Sequence, residues 1–124
     1  MSRFLTRRTL AVAALAALAP LGAAAQAAWP AKALRIVVPY PPGGSSDILA
    51  RAISQPLSEA LGQTVIVENK PGANGNTGSD LVAKATDGHT LLLCDVGALA
   101  ISPSVYKQLA FDPSKDLRGV TMLA

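Results

Sequence analysis

The chain has 124 residues, half of them hydrophobic, and a formal net charge of +3 at pH 7. This length suits one small domain. The excess positive charge comes from Arg3, Arg7 and Arg8, so the rest of the chain is neutral overall and gives no reason to expect nucleic-acid binding. Cys94 is the only cysteine, which excludes an internal disulfide.

Residues 1–27 have the pattern of an export signal. The basic front is followed by an apolar run, Leu10–Ala19, and by a small-x-small cleavage motif, Ala25-Gln26-Ala27. The apolar run is shorter than the ~20 residues needed to cross a bilayer. We therefore expect a periplasmic product, residues 28–124, exported by the general secretory or the twin-arginine route and not embedded in the membrane.

The next segment predicts a strand followed by a long helix. The run Leu34–Pro39 is apolar and β-branched, as in a strand buried on both faces. Apolar residues then recur every four positions from Ser46 to Leu61, the stripe of a helix packed on a sheet. Gly62 marks the end of this helix, and Pro56 predicts a kink within it.

The same alternation continues along the chain. Thr64–Glu68 predicts a second strand, residues 76–85 a second helix, and Thr90–Cys94 a third strand. Residues 97–109 predict a short helix with turns, and Val120–Leu123 the start of a fourth strand. Alternating strands and helices of this kind indicate an α/β fold with a mainly parallel sheet and flanking helices.

In such sheets ligands bind beyond the carboxyl ends of the strands. Three loops meet this condition: residues 40–47, 69–77 and 94–98. The first, rich in Pro, Gly and Ser, precedes a helix whose free N–H groups and dipole favour an anion such as a carboxylate or phosphate. The alternative is that Ser45 or Ser46 caps the helix while Asp47 interacts with the dipole. Asp47 also disfavours a doubly charged anion directly beside it.

The other two loops carry weaker signals. The second loop has a glycine at every third position, Gly72, Gly75 and Gly78, which matches neither the dinucleotide nor the Walker phosphate motif. Its Asn74, Asn76 and Thr77 can hydrogen-bond a carboxylate or a bridging water, or can cap the next helix. Residues 95–98 are mostly small, which leaves room for a ligand or marks a tight turn.

Residues suited to catalysis or metal binding are few. His89 follows a turn on the opposite side of the sheet from the three loops, and Cys94 ends an apolar strand. The sequence Gly-Gly-Ser-Ser is not a nucleophile elbow, and one cysteine with one histidine makes no metal cluster. We therefore expect neither an enzyme nor a cofactor, and an acyl-transfer enzyme using Ser45 or Ser46 is the least favoured alternative.

Four motifs together resemble one known family. They are PYPPGGSSD, GQTVIVENKPGANGNTG, DGHTLL and ISPSVYKQL, which span most of residues 39–109. The chain resembles the N-terminal part of the substrate-binding proteins of tripartite tricarboxylate transporters, the Bug family. The resemblance implies the first lobe of a two-lobed periplasmic binding protein of type II, without its second lobe. For residues 28–124 alone we expect weak binding or none.

The resemblance also implies a ligand and partners. Ligands in the family are small organic acids, handed to a membrane permease; no nucleic acid is involved. The alternative is a sensor module that presents its ligand to a membrane histidine kinase. The residues expected to contact the ligand lie in the three loops: Tyr40, Pro42, Gly43, Gly44, Ser45, Ser46, Asp47, Gly75, Asn76, Thr77, Gly97 and Ala98.

Overall fold

A computed structural model describes residues 28–123. The export signal expected over residues 1–27 lies outside the described residues. The main elements, in chain order, are β1 (Leu34–Val38), α1 (Ser45–Leu61), β2 (Val65–Asn69), α2 (Asn76–Ala83), β3 (Thr90–Leu92), α3 (Ser102–Val105) and α4 (Pro113–Asp116). A 3-10 turn, Ala73–Gly75, leads into α2, and a π-helical turn, Gly97–Ile101, leads into α3.

The three strands form a parallel sheet in the order β2-β1-β3. Leu34 pairs with Val65 on one side of β1, and Arg35 pairs with Thr90 on the other. As the central strand, β1 is largely buried, which explains why all of its residues except Arg35 are apolar. The predicted α/β fold with a parallel sheet is confirmed.

Helix α1 covers one face of this sheet. Its Ala50 is fully buried in the core, and Ile53, Leu57 and Leu61 pack against the same cluster. Gly62 ends the helix in the left-handed conformation, with φ 65°. The helix continues without interruption through Pro56, which lies on its exposed side where water can satisfy the carbonyl that loses its partner.

Helix α2 lies directly against the end of β1. A Cβ atom added to Gly78 would lie 2.8 Å from Cβ of Pro39 and 2.9 Å from the carbonyl oxygen of Lys70. Only glycine allows so close an approach, which fixes the start of α2 beside the carboxyl ends of β1 and β2. The same helix buries Ser79, whose hydroxyl donates to the carbonyl of Gly75 at 2.9 Å.

The C-terminal part of the chain differs from the sequence predictions. The predicted strand Val120–Leu123 is wrong: this segment has no regular structure, and Val120 is 81% exposed. Apolar, β-branched composition gave the prediction, but a strand needs a neighbouring strand to pair with. Helix α4 was not predicted, although Asp112 caps it by accepting from the backbone N–H of Ser114 and Pro113 takes the first helical position.

The segment before β1 is tied to the opposite edge of the sheet from the three loops. The indole N–H of Trp29 donates to the carbonyl of Gly88 at 3.0 Å, and the N–H of Ala31 donates to Nε2 of His89 at 3.2 Å. Lys32 pairs with Asp87 at 3.4 Å. His89 therefore holds the chain at this edge, away from any ligand beyond the strand ends. Within residues 28–123, no helix combines the length and apolar character that crossing a bilayer requires.

Candidate carboxylate-binding site

The three predicted loops meet around the hydroxyl of Tyr40. This hydroxyl donates to Oδ1 of Asp95 in the third loop. A Cβ added to Gly75 would lie 3.1 Å from the Tyr40 hydroxyl and 3.1 Å from Cβ of Ala98, and one added to Gly97 would lie 3.8 Å from the same hydroxyl. The structure thus brings together residues from all three loops, because the carboxyl ends of parallel strands share one edge of the sheet.

The start of α1 is open. Its N-cap is Gly44, in extended conformation (φ −76°, ψ 169°), and no side chain in the described part of the chain caps the helix. Ser45 and Ser46 occupy the first two helical positions, so the alternative in which one of these serines caps the helix is wrong. Among the hydrogen bonds found within residues 28–123, none uses the N–H of Gly44, Ser45 or Ser46. These three donors lie beyond the carboxyl end of β1, at the positive end of the dipole of a 17-residue helix.

Asp47 holds the first loop in place through hydrogen bonds. Its side chain is buried and accepts from the N–H of Gly43 at 2.8 Å, from Nε of Arg51 at 3.0 Å and from Nδ2 of Asn69 at 3.0 Å. The hydrogen bond from Arg51, followed by that from Gly43, lowers the pKa of Asp47 to about 2. Arg51 balances the charge of Asp47. Asp47 therefore repels a nearby anion less than the sequence implied.

Asn69 contributes to this support although sequence reasoning missed it. Besides Asp47, its amide donates to the carbonyl of Tyr40 at 3.1 Å, and its Oδ1 accepts from Arg51 at 3.1 Å. It thereby ties the end of β2 to the loop after β1. The available signal was its position as the polar residue at the end of a β-branched run.

The backbone N–H groups of the second loop donate to carbonyl groups within the same loop. The N–H of Gly75 donates to the carbonyl of Gly72 at 2.9 Å, that of Asn76 to Ala73, and that of Thr77 to Gly72 at 3.4 Å. The N-cap of α2 is Gly75, with no side-chain cap, so neither asparagine nor threonine caps this helix. What the loop offers is the side chain of Asn76, which is 8% exposed and whose amide N and O have no partner within the described residues.

The third loop is organised by Asp95, which was not among the predicted site residues. Its Oδ1 accepts from the N–H of Gly97 at 2.9 Å as well as from Tyr40. Burial, and then the hydrogen bond to Asp95, raise the pKa of Tyr40, so its phenol remains protonated and committed to Asp95. The signal in the sequence was an acidic residue three positions after the end of a strand.

The predicted site residues therefore fall into four groups. Gly44, Ser45 and Ser46 present free donors, and Pro42 is exposed beside them. Tyr40, Gly75, Gly97 and Ala98 form the floor where the loops meet, while Gly43 and Asp47 brace the first loop. Asn76 and Thr77 line a cavity of about 320 Å³ that α2 shares with the segment around Phe111.

Comparison with known proteins places this chain among transport receptors. Residues 49–124 match the family described as tripartite tricarboxylate transporter family receptor. Protein BugT of Bordetella pertussis is 42% identical over 97 residues, which are 77% of this chain and 30% of BugT. The chain spans about a third of the length of the curated relatives it matches.

Solved structures agree with this assignment. MatC from Rhodopseudomonas palustris, with bound malate, is 36% identical and superposes with a TM-score of 0.67 over 71% of this chain and 30% of MatC. A second R. palustris protein, with adipate, is 38% identical and superposes with a TM-score of 0.66 over 69% of this chain and 29% of its own. The part of this chain that superposes therefore has the fold of part of a periplasmic binding protein.

Proposed function

We propose, because the chain belongs to the tripartite tricarboxylate transporter receptor family, that it acts as part of a periplasmic receptor that captures a small organic carboxylate. This family includes the Bug proteins and is a family of substrate-binding receptors rather than enzymes. The start of α1 holds one carboxylate of that ligand. The receptor then delivers the acid to a membrane permease of the tripartite type.

The observation that carries this proposal is the open start of α1. Gly44, Ser45 and Ser46 present three neighbouring N–H groups without a partner in the described residues. A carboxylate has two oxygens that accept several hydrogen bonds, and hydrogen bonds to an ionised acceptor are stronger than neutral ones. The helix dipole adds to the attraction for negative charge.

Two further features support a carboxylate at this position. Gly43 and Gly44 have no side chains, so a ligand can reach the backbone, and a Cβ at Gly43 would meet no atom within 4 Å. The Arg51–Asp47 pair keeps the nearest buried acid neutralised. The related structures with malate and adipate hold dicarboxylic acids, in keeping with a ligand of this class.

The test removes one N–H group without disturbing the helix. Ser45 is the first helical position, where proline is well tolerated, and the extended Gly44 before it suits a following proline. Ser45→Pro removes the N–H and the hydroxyl, whereas the matched control Ser45→Ala removes only the hydroxyl. Binding is measured by calorimetry on protein expressed from the complete reading frame, with malate, adipate, L-aspartate, L-glutamate and citrate as probes.

We expect Ser45→Pro to bind roughly ten- to a hundredfold more weakly than Ser45→Ala, because a hydrogen bond to a charged group contributes about 1.5–3 kcal/mol. Both variants should show the same circular dichroism spectrum as the unmodified protein. Equal affinities of the two variants for an acid that binds would contradict the role of this N–H group. Failure of all five acids to bind the unmodified protein would contradict the proposed function itself.

A further inference from the structure

Asp95 places a fixed negative charge at the point where the three loops meet. Its Oδ1 is held by the hydroxyl of Tyr40 and by the N–H of Gly97 at 2.9 Å. These two bonds orient the carboxylate, while Oδ2 makes none of the hydrogen bonds found within residues 28–123. The residue as a whole is exposed.

No cation within the described part of the chain balances this charge. Ion pairs neutralise Asp47, Glu68, Asp80, Asp87 and Asp112, but none involves Asp95. Its two hydrogen-bond donors are neutral groups. Its charge also contributes, after burial, to raising the pKa values of Tyr40 and Cys94, as expected for a carboxylate without a nearby counter-charge.

Asp95 lies in a loop next to the one that carries the proposed carboxylate position. It follows β3, the open start of α1 follows β1, and these two strands are adjacent in the parallel sheet. Neighbouring strands run about 4.8 Å apart, so the loops that follow them start side by side at the same end of the sheet. Tyr40 connects the two loops directly, since it begins the first and donates to the acid of the third.

We propose that Asp95 makes this receptor specific for amino acids: the ligand places a carboxylate on the N–H groups of Gly44, Ser45 and Ser46 and its ammonium group on Asp95. This inference rests on the proposed function and names the class of acid bound. A plain dicarboxylate has no group that can donate to Oδ2, and its second negative charge is repelled by Asp95. An ammonium group supplies both the donor and the opposite charge.

The experiment compares acids that differ only in a 2-amino group. The matched pairs are L-aspartate with succinate, L-glutamate with glutarate, and L-phenylalanine with 3-phenylpropionate. Affinities are measured by calorimetry for the unmodified protein from its complete reading frame, for Asp95→Asn and for Glu59→Gln. Asparagine keeps an oxygen that accepts from Tyr40 and Gly97 but has no charge. Glu59→Gln is the control, since it removes the same charge near the far end of α1, at an exposed position outside the ion pairs found within residues 28–123.

In at least one pair, we expect the unmodified protein to prefer the amino acid at least tenfold. Asp95→Asn should reduce this preference to less than threefold, mainly by weakening the binding of the amino acid. Glu59→Gln should leave the preference unchanged. A preference that survives in Asp95→Asn would overturn the role of Asp95. Equal or tighter binding of the acids without the amino group would overturn the inference but leave the proposed function intact, and no binding by any of the six would overturn both.

Discussion

The contact between α2 and the end of β1 gives a stability prediction that can be worked from the structure. In Gly78→Ala, the new methyl group would lie 2.8 Å from Cβ of Pro39, 2.9 Å from its Cα and 2.9 Å from the carbonyl oxygen of Lys70. Ordinary contacts begin at 3.4 Å, so each distance must lengthen by about 0.5 Å. Two of the three atoms are backbone atoms, and Pro39 is fully buried, so no side-chain rotation can relieve the contact.

Two opposing terms set the size of the effect. Alanine is favoured over glycine inside a helix by about 1 kcal/mol. Forcing an extra methyl group into a well-packed site costs about 1–3 kcal/mol, and the upper part of that range applies here because rigid atoms surround the methyl. We therefore expect Gly78→Ala to lower the free energy of unfolding by about 1–2 kcal/mol.

Urea denaturation followed by circular dichroism measures this change. The control is Gly119→Ala, because a Cβ at Gly119 meets no atom within 4 Å and its backbone conformation is open to alanine. The control should differ from the unmodified protein by less than about 0.5 kcal/mol. If Gly78→Ala is as stable as the unmodified protein, or more so, then α2 does not lie against Pro39 as described.

Three other predictions concern the core and two ionisable groups. Leu34→Ala, in the fully buried central strand, should lower the free energy of unfolding by about 2–5 kcal/mol, whereas Ile48→Ala, 62% exposed on α1, should change it little; similar losses in urea denaturation would contradict the assigned core. The pKa of Asp47 is lowered from 3.8 to about 2, so its contribution to stability is complete above pH 4 and is lost as the pH falls towards 2. Denaturation measured between pH 5 and pH 2 should therefore show a smaller loss of stability for Asp47→Asn than for the unmodified protein. An equal pH dependence of the two proteins would refute this. Burial, followed by the charge of Asp95, raises the pKa of Cys94 to about 11. The rate of its alkylation by iodoacetamide should therefore still increase with pH at pH 10. A rate that has reached a plateau by pH 10 would contradict the buried thiol.

The sequence was informative wherever local pattern decides structure. The largely apolar run of β1 and the four-residue spacing along α1 predicted both elements within one residue at each end. Alternating strands and helices then predicted a parallel sheet, which brings the loops that follow the strands to one edge. Local chemistry would also have predicted α4, from the cap residue Asp112 followed by Pro113, had these two residues been considered together.

The details of the site depended on contacts between distant residues. The carboxylate of Asp47 accepts from the N–H of Gly43, just before α1, and Arg51 and Asn69 also donate to it. Asn69 is 22 residues away from Asp47 in the chain, so no local pattern reveals this bond. The same holds for Tyr40 and Asp95, separated by 55 residues, and for this reason Asp95 was not predicted as a site residue.

The most direct test of the proposed carboxylate site is a crystal structure of the protein, expressed from its complete reading frame, with an acid shown to bind by calorimetry. We expect the oxygens of one ligand carboxylate within about 2.7–3.2 Å of the backbone nitrogens of at least two of Gly44, Ser45 and Ser46. A ligand whose carboxylates all lie elsewhere, with these three N–H groups bonded to other protein atoms, would contradict the account.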